Sequence, residues 1–332
     1  MDPRRRAFVA TLSAALATRS FPASAQQASS LRIVGVLMGL ANDAEAQVRA
    51  KIIEQGLAKR GWVVGQNLRI EYRYANSDQR LMQTFAAELV GLKCDCILGQ
   101  STPVVAALKK ATQTIPVVFV AVSDPIGSGF VESLARPGGN VTGFTNLLPT
   151  ITGKYLSILR ELKPQLTRVA AMYNPESVPK GEAVYLPTFI ESAKDFHITV
   201  ITAEVHSSDE IETAMADLGA APGSGLIVMP DNFTSFHREL IVLLAARLRI
   251  PAIYPYRYFV NEGGLLSYGI DVLDLYRRAP DYIDRILHGT TPSDLPVQAP
   301  KKFELVINLK TARTLGLVVP RILLAGADAL IE

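Results

Sequence analysis

Few side chains in this sequence suit redox or metal chemistry. Only two cysteines and four histidines stand among 332 residues. His197, His206, His237 and His288 are scattered, with no ligand spacing for zinc. Cys94 and Cys96 read as alternate residues on one face of an apolar strand, Cys94 to Leu98. Residues two apart in an extended strand are poorly placed for a bridge, so both are expected to be small buried hydrophobes. Catalytic motifs are missing too. Gly35 and Gly39 after the first apolar run do not make GxGxxG, and there is no Walker loop and no HExxH. The GSG triplets at 127–129 and 223–225 lack the GxSxG spacing of a nucleophile elbow. These absences point away from an enzyme, a cofactor and a metal. Beyond the N-terminus no run is long and apolar enough to span a bilayer.

The first residues read as an export signal. Arg4, Arg5 and Arg6 form a positive region, Ala7 to Ala17 a short apolar stretch, and Ala23-Ser24-Ala25 a small-x-small cleavage site. Residues 1–25 are therefore expected to be removed. The signal is either the general secretory kind or, from Arg5-Arg6-Ala7-Phe8-Val9, the twin-arginine kind. With no cysteine at the cleavage site, it is not a lipoprotein signal. The chain carries 34 basic and 31 acidic residues. Arg4, Arg5, Arg6, Arg19 and Asp2 lie in the signal, so the remainder is balanced, 30 against 30. No basic field is left for nucleic acid. The expectation is an exported, periplasmic monomer with no membrane insertion after processing.

What the sequence does contain is a regular alternation. Ile33 to Met38, Leu68 to Tyr74, Cys94 to Leu98 and Pro116 to Val122 read as strands, with amphipathic helices between them. The first helix shows Val48, Ile52 and Gly56 on one face. Strands this apolar between helices imply a parallel sheet covered on both sides. Then Ala121–Asn146 turns polar at Ser123-Asp124-Pro125. A short helix is expected over Ile126 to Leu134, and the Pro137-Gly138-Gly139-Asn140 turn leads to another strand. After it the alternation restarts, with strands at Arg168–Met172, Ile198–Val205, Leu226–Met229 and Ala252–Tyr254. Pro187 is expected near a helix start, and Pro280 is expected to start or kink the helix over Leu273–Leu287. The fold class is α/β, two Rossmann-like lobes with parallel sheets.

Ligands of such folds bind beyond the carboxyl ends of the strands, and polar residues gather there. Ser101 and Thr102 open a helix after the third strand, offering free backbone N–H groups and hydroxyls suited to a carboxylate. The same residues would also serve as a plain helix cap. Ser123 and Asp124 repeat the arrangement after the fourth strand, with Asp124 a candidate cap. Asn174 follows the Arg168–Met172 strand. Asp231 and Asn232 follow Leu226–Met229, where an acid could pair with a ligand ammonium or close an Asx-turn. Asp271 is a second candidate for that role. Tyr256 and Tyr268 are candidates for an apolar side-chain pocket, although an alternating Tyr254/Tyr256/Tyr258 row more often packs in a core. No basic residue is recognised at cleft level.

Three segments carry a family resemblance: SDPIGSGFVESLARPGGNVTGFT (Ser123–Thr145), GGLLSYGID (Gly263–Asp271) and LPVQAPKKFELVINLKTARTLGLVVP (Leu295–Pro320). They resemble the ABC transporter substrate-binding proteins of the tryptophan/tyrosine-binding type. The resemblance implies a type I periplasmic binding protein fold with three crossings between lobes. These are assigned near Gly143–Asn146, Gly269–Asp271 and Asp294–Pro296. The lobes would comprise 31–145 plus 270–291 and 146–269 plus 292–332. It also implies the capture of a small ligand for an ABC permease and its ATPase. The ligand expected is a carboxylate-bearing molecule, an amino acid, aromatic or branched. A sensory receptor subunit of the same fold, or an exported hydrolase, is the alternative.

Overall fold

The computed structural model describes residues 31–146, 151–177 and 181–332; the export signal expected over 1–25 lies outside the described residues. In the first lobe, β1 (Arg32–Met38), α1 (Ala44–Ala58), β2 (Leu68–Tyr74), α2 (Gln79–Gly91), β3 (Cys96–Gln100), α3 (Thr102–Ala111), β4 (Val117–Val122) and β5 (Val141–Thr145) follow one another. The strands form a parallel sheet ordered β2-β1-β3-β4-β5. β3, β4 and β5 are buried along their whole length, as their unbroken apolar runs require.

The second lobe begins with α4 (Ile151–Leu162), β6 (Arg168–Tyr173), α5 (Gly181–Asp195), β7 (Thr199–Glu204) and α6 (Ser208–Ala220). β8 (Ser224–Val228), α7 (Asn232–Phe236), α8 (Arg238–Arg247), β9 (Ala252–Tyr254), α9 (Arg257–Asn261) and β10 (Leu266–Ile270) continue it. The chain then returns to the first lobe as α10 (Val272–Leu287), packed on α1. It ends in the second lobe with β11 (Phe303–Asn308), α11 (Leu309–Thr314), α12 (Arg321–Gly326) and β12 (Ala329–Ile331). The second sheet runs β12-β11-β10-β9-β8-β6-β7. It is parallel except where β10 meets β11 antiparallel, a departure from the all-parallel expectation.

The third crossing lies later than Asp294–Pro296. Thr142 donates to the Leu295 carbonyl, and the Val297 and Gln298 N–H groups donate to the carbonyls of Leu134 and Gly143. The chain therefore stays on the first lobe through Gln298. It then passes beside the second crossing, where the Asp271 N–H donates to the Lys302 carbonyl at 3.0 Å.

Other local expectations shift for physical reasons. Residues 125–129 form a turn instead of a helix, with Gly129 at a left-handed φ of 69° and Asp124 accepting from the Gly127 N–H. α1 buries Ala46, Arg49, Ala50, Ile53 and Leu57, leaving Val48 exposed, so its inward face is one residue out of phase with the one expected. Both helix prolines are interior: Pro187 lies inside α5 and Pro280 inside α10. The Pro280 ring fills the space that Gly56 leaves open on α1; a Cβ there would lie 2.5 Å from its Cγ. Cys94 and Cys96 are free and buried, but not on one face. The strand starts at Cys96, which packs with Leu98, Val118 and Val120. Cys94 packs with Leu89, Ile97 and Phe119 on the other side of the sheet.

Candidate binding site

A pocket forms where the carboxyl ends of both sheets face each other. The first lobe supplies Gln100 at the end of β3, Ser101 and Thr102 just beyond it, Ala121 and Ser123 at the end of β4, and Arg49 from α1. The second supplies Pro230, Asp231 and Asn232 beyond β8, Ser235 from α7, and Tyr256 and Tyr258 around the start of α9. Asn146, on the first crossing, donates to the Tyr256 hydroxyl at 3.0 Å. Two wall residues hold backbone conformations that side chains disfavour, Ser101 at φ 86° and Ala121 at φ 56°. Such strain persists where surrounding structure enforces it and concentrates at ligand clamps.

The two walls touch directly. Asn232 donates to the Ser101 hydroxyl at 2.6 Å and accepts from the Gln100 amide at 3.0 Å. Gln100 in turn accepts from the Gly39 N–H at 2.9 Å. A Cβ on Gly39 would strike the Asn232 amide, so glycine there lets the walls meet. At the rim, Arg238 of α8 pairs with Asp43, the N-cap of α1, at 2.9 Å. The free space between the walls is about 30 Å³, water-sized. With the walls in this arrangement, the space does not hold an amino acid.

Of the residues expected at the site, Ser101, Thr102, Ser123, Asp231, Asn232 and Tyr256 line this pocket. The Ser101 side chain makes no cap bond to α3. Thr102 accepts from the Ser123 N–H at 3.3 Å. Asp231 accepts from Thr234 N–H at 2.6 Å and from Asn174 N–H at 3.1 Å, so it caps α7 while facing the pocket. Burial pushes its carboxyl up to about 7, against the pull of those N–H groups. Burial likewise raises the Tyr256 hydroxyl to about 12.

The other four are placed elsewhere. Asn174 is buried behind Asp231 and lines a groove beside the pocket with Ser177, His206 and Phe233. Asp124 closes its own turn. Tyr268 meets Tyr155 edge-on, 6.4 Å between rings, because its position on β10 faces the α4 side of the sheet. Asp271 caps α10 through the Asp274 N–H and is held by Arg277.

Arg49 is the residue that sequence reading missed. It is 1% exposed, on the pocket wall, with its guanidinium carbon 5.4 Å and 5.7 Å from the Tyr258 and Tyr276 ring centres. Its position in the stripe Ala46-Arg49-Ala50-Ile53-Leu57 was the available signal: a cation on the buried face of a helix. Among the described residues no group of acids, histidines and cysteines could hold a metal, and no helix is long and apolar enough to cross a membrane.

Two α/β lobes joined by crossing strands, with a cleft at their facing carboxyl ends, define a two-lobed binding fold. The chain belongs to the family of ABC transporter substrate binding proteins, whose model matches residues 33–331. It is similar to a tyrosine-binding protein of Clostridioides difficile, 29% identical over 79% of this chain and 75% of the relative. Its structure resembles an ABC domain in complex with L-Trp from Streptococcus pneumonia, with 28% identity and a TM-score of 0.83 over 91% of this chain and 100% of the other. A ligand-free, open substrate binding protein from Clostridium difficile matches at 25% identity and TM-score 0.66, over 91% and 99% of the two chains.

Proposed function

We propose that this protein is the extracytoplasmic binding component of an ABC importer, and that it captures a small carboxylate-bearing ligand, an aromatic amino acid such as tryptophan or tyrosine. The observation that carries the reading is the pocket itself, a wall of hydroxyls and backbone donors on one lobe facing an acid and two tyrosines on the other. The relatives that bind tyrosine and L-Trp support the same class of ligand. In this reading the Ser101, Thr102 and Ser123 hydroxyls orient the carboxylate, Asp231 receives the ammonium, and Tyr256 and Tyr258 flank the apolar part. The ligand is handed to a permease and its ATPase.

Thermal-shift and calorimetric titration of the purified protein with the twenty amino acids, their deaminated analogues and neutral sugars tests this. Binding to the native state raises the melting temperature by mass action. L-Tryptophan or L-tyrosine should stabilise the protein, and Asp231→Ala should weaken the amino acid while sparing its deaminated analogue. Stabilisation by a sugar, with no response to any carboxylate, rules the reading out.

A further inference from the structure

A cation withdrawn from water costs free energy unless it is paired and hydrogen-bonded, and Arg49 is incompletely paired. Its acidic partner is Glu45, one turn earlier on the same helix, at 3.2 Å from Nη1, and the Glu45 side chain is 30% exposed. Its Nε–H is buried without any hydrogen-bond partner. Asp231 is the acid among the described residues of the pocket wall, and both its oxygens are engaged by backbone N–H groups. The protein therefore brings Arg49 into the pocket without bringing a matching anion to its free edge.

The surroundings hold that guanidinium in place. Tyr276 belongs to α10, on the same lobe as Arg49, while Tyr258 belongs to α9 of the other lobe. Attraction between a cation and ring faces stabilises it in a desolvated site and leaves its edge for a planar, charge-assisted contact. The tyrosine from each lobe also ties the position of Arg49 to closure. By contrast, the hydroxyls at the α3 start are uncharged: Ser101 accepts from the Asn232 amide and Thr102 from the Ser123 N–H, so each offers a ligand only a neutral O–H.

We infer that Arg49 is the anion anchor of this pocket: its Nε–H edge meets the ligand carboxylate, and the α3 start supplies only neutral, orienting donors. The inference rests on the carboxylate-ligand reading above and deepens it. It assigns the site a preference for a free acid over an amide of the same shape.

The experiment is calorimetric titration of wild type, Arg49→Gln and Arg49→Met with L-tryptophan, L-tyrosine and the corresponding amides, with circular dichroism melts to establish folding. Arg49→Met is included because an apolar residue of similar length fills the same space and leaves behind only Glu45, whose side chain is 30% exposed and stays in contact with water. Removing one partner of a buried charge pair weakens binding about 30-fold or more. Wild type should thus favour an acid over its amide by about that factor, and a folded Arg49 variant should bind acid and amide within about threefold of each other. A folded variant that keeps the wild-type preference for the acid overturns the anchor while leaving the carboxylate reading intact. Wild type that binds neither acid, or binds the amides equally well, overturns both.

Discussion

Asn232 reaches across the cleft to donate a 2.6 Å hydrogen bond to the Ser101 hydroxyl. The same side chain accepts from Gln100, so one residue of the second lobe holds the strand end of the first. Each bond contributes about 0.5–1.5 kcal/mol net. Asn232→Ala should shift the lobes toward an open arrangement by roughly two- to tenfold per bond lost. Small-angle scattering without ligand should give a larger radius of gyration for the variant than for wild type. Equal radii would mean that these bonds do not hold the lobes together.

A second tie lies at the rim. The Arg238–Asp43 pair is 2.9 Å long, with the arginine 13% exposed, and Glu262 also contacts Arg238 at 3.4 Å. Removing the cation should weaken closure by about 1 kcal/mol, more at low ionic strength than at high. Arg238→Met should therefore lower ligand affinity roughly threefold to fivefold in dilute buffer, with the difference shrinking in 1 M salt. A salt-independent difference would assign the effect to packing instead.

Packing of α1 on α10 depends on a missing methyl group. Gly56→Ala places a Cβ against the Pro280 ring and should cost about 1–3 kcal/mol of stability, despite the gain in helix propensity. Pro280→Ala makes room, so the double variant should recover about 1 kcal/mol or more relative to additivity. Urea denaturation of all four proteins measures the coupling. Simple additivity would show that the two side chains do not share this space.

Asp231 gives stability a pH dependence of defined sign. Burial raises its folded-state value to about 7, above the ordinary carboxylate range. Between about pH 4 and 7 the folded chain thus binds a proton that the unfolded chain releases. Its contribution is fully present below that window, declines as pH rises through it, and is gone above about 7. Asp231→Ala loses the α7 cap, lowering stability throughout, but it should remove this slope. Denaturation midpoints at several pH values from 4.5 to 8 would show it. A variant with the wild-type slope would place the titrating group elsewhere.

The main alternation of strands and helices was legible in the sequence because apolar period and turn residues are local properties; the elements over 303–331 were not read. Buried strands such as Val117–Val122 announce themselves by composition, and Ser101, Ser123, Asp231 and Asn232 stand out as polar residues following such runs. The same local reading misplaced Tyr268, because which side of β10 faces the cleft depends on how the sheet is covered. It also missed Arg49, because Val48, Ile52 and Gly56 form an equally plausible apolar stripe when the helix is read alone.

The sequence by itself determined two lobes of alternating strands and helices and the strand ends where a ligand site would lie. Only tertiary structure decided which side chains meet across the cleft. Asn232 and Ser101 are 131 positions apart, and Arg49 reaches Tyr258 and Tyr276 from a third part of the chain. Local propensity cannot encode such meetings, since they depend on the phase of each helix against its sheet and on the angle at which two lobes close.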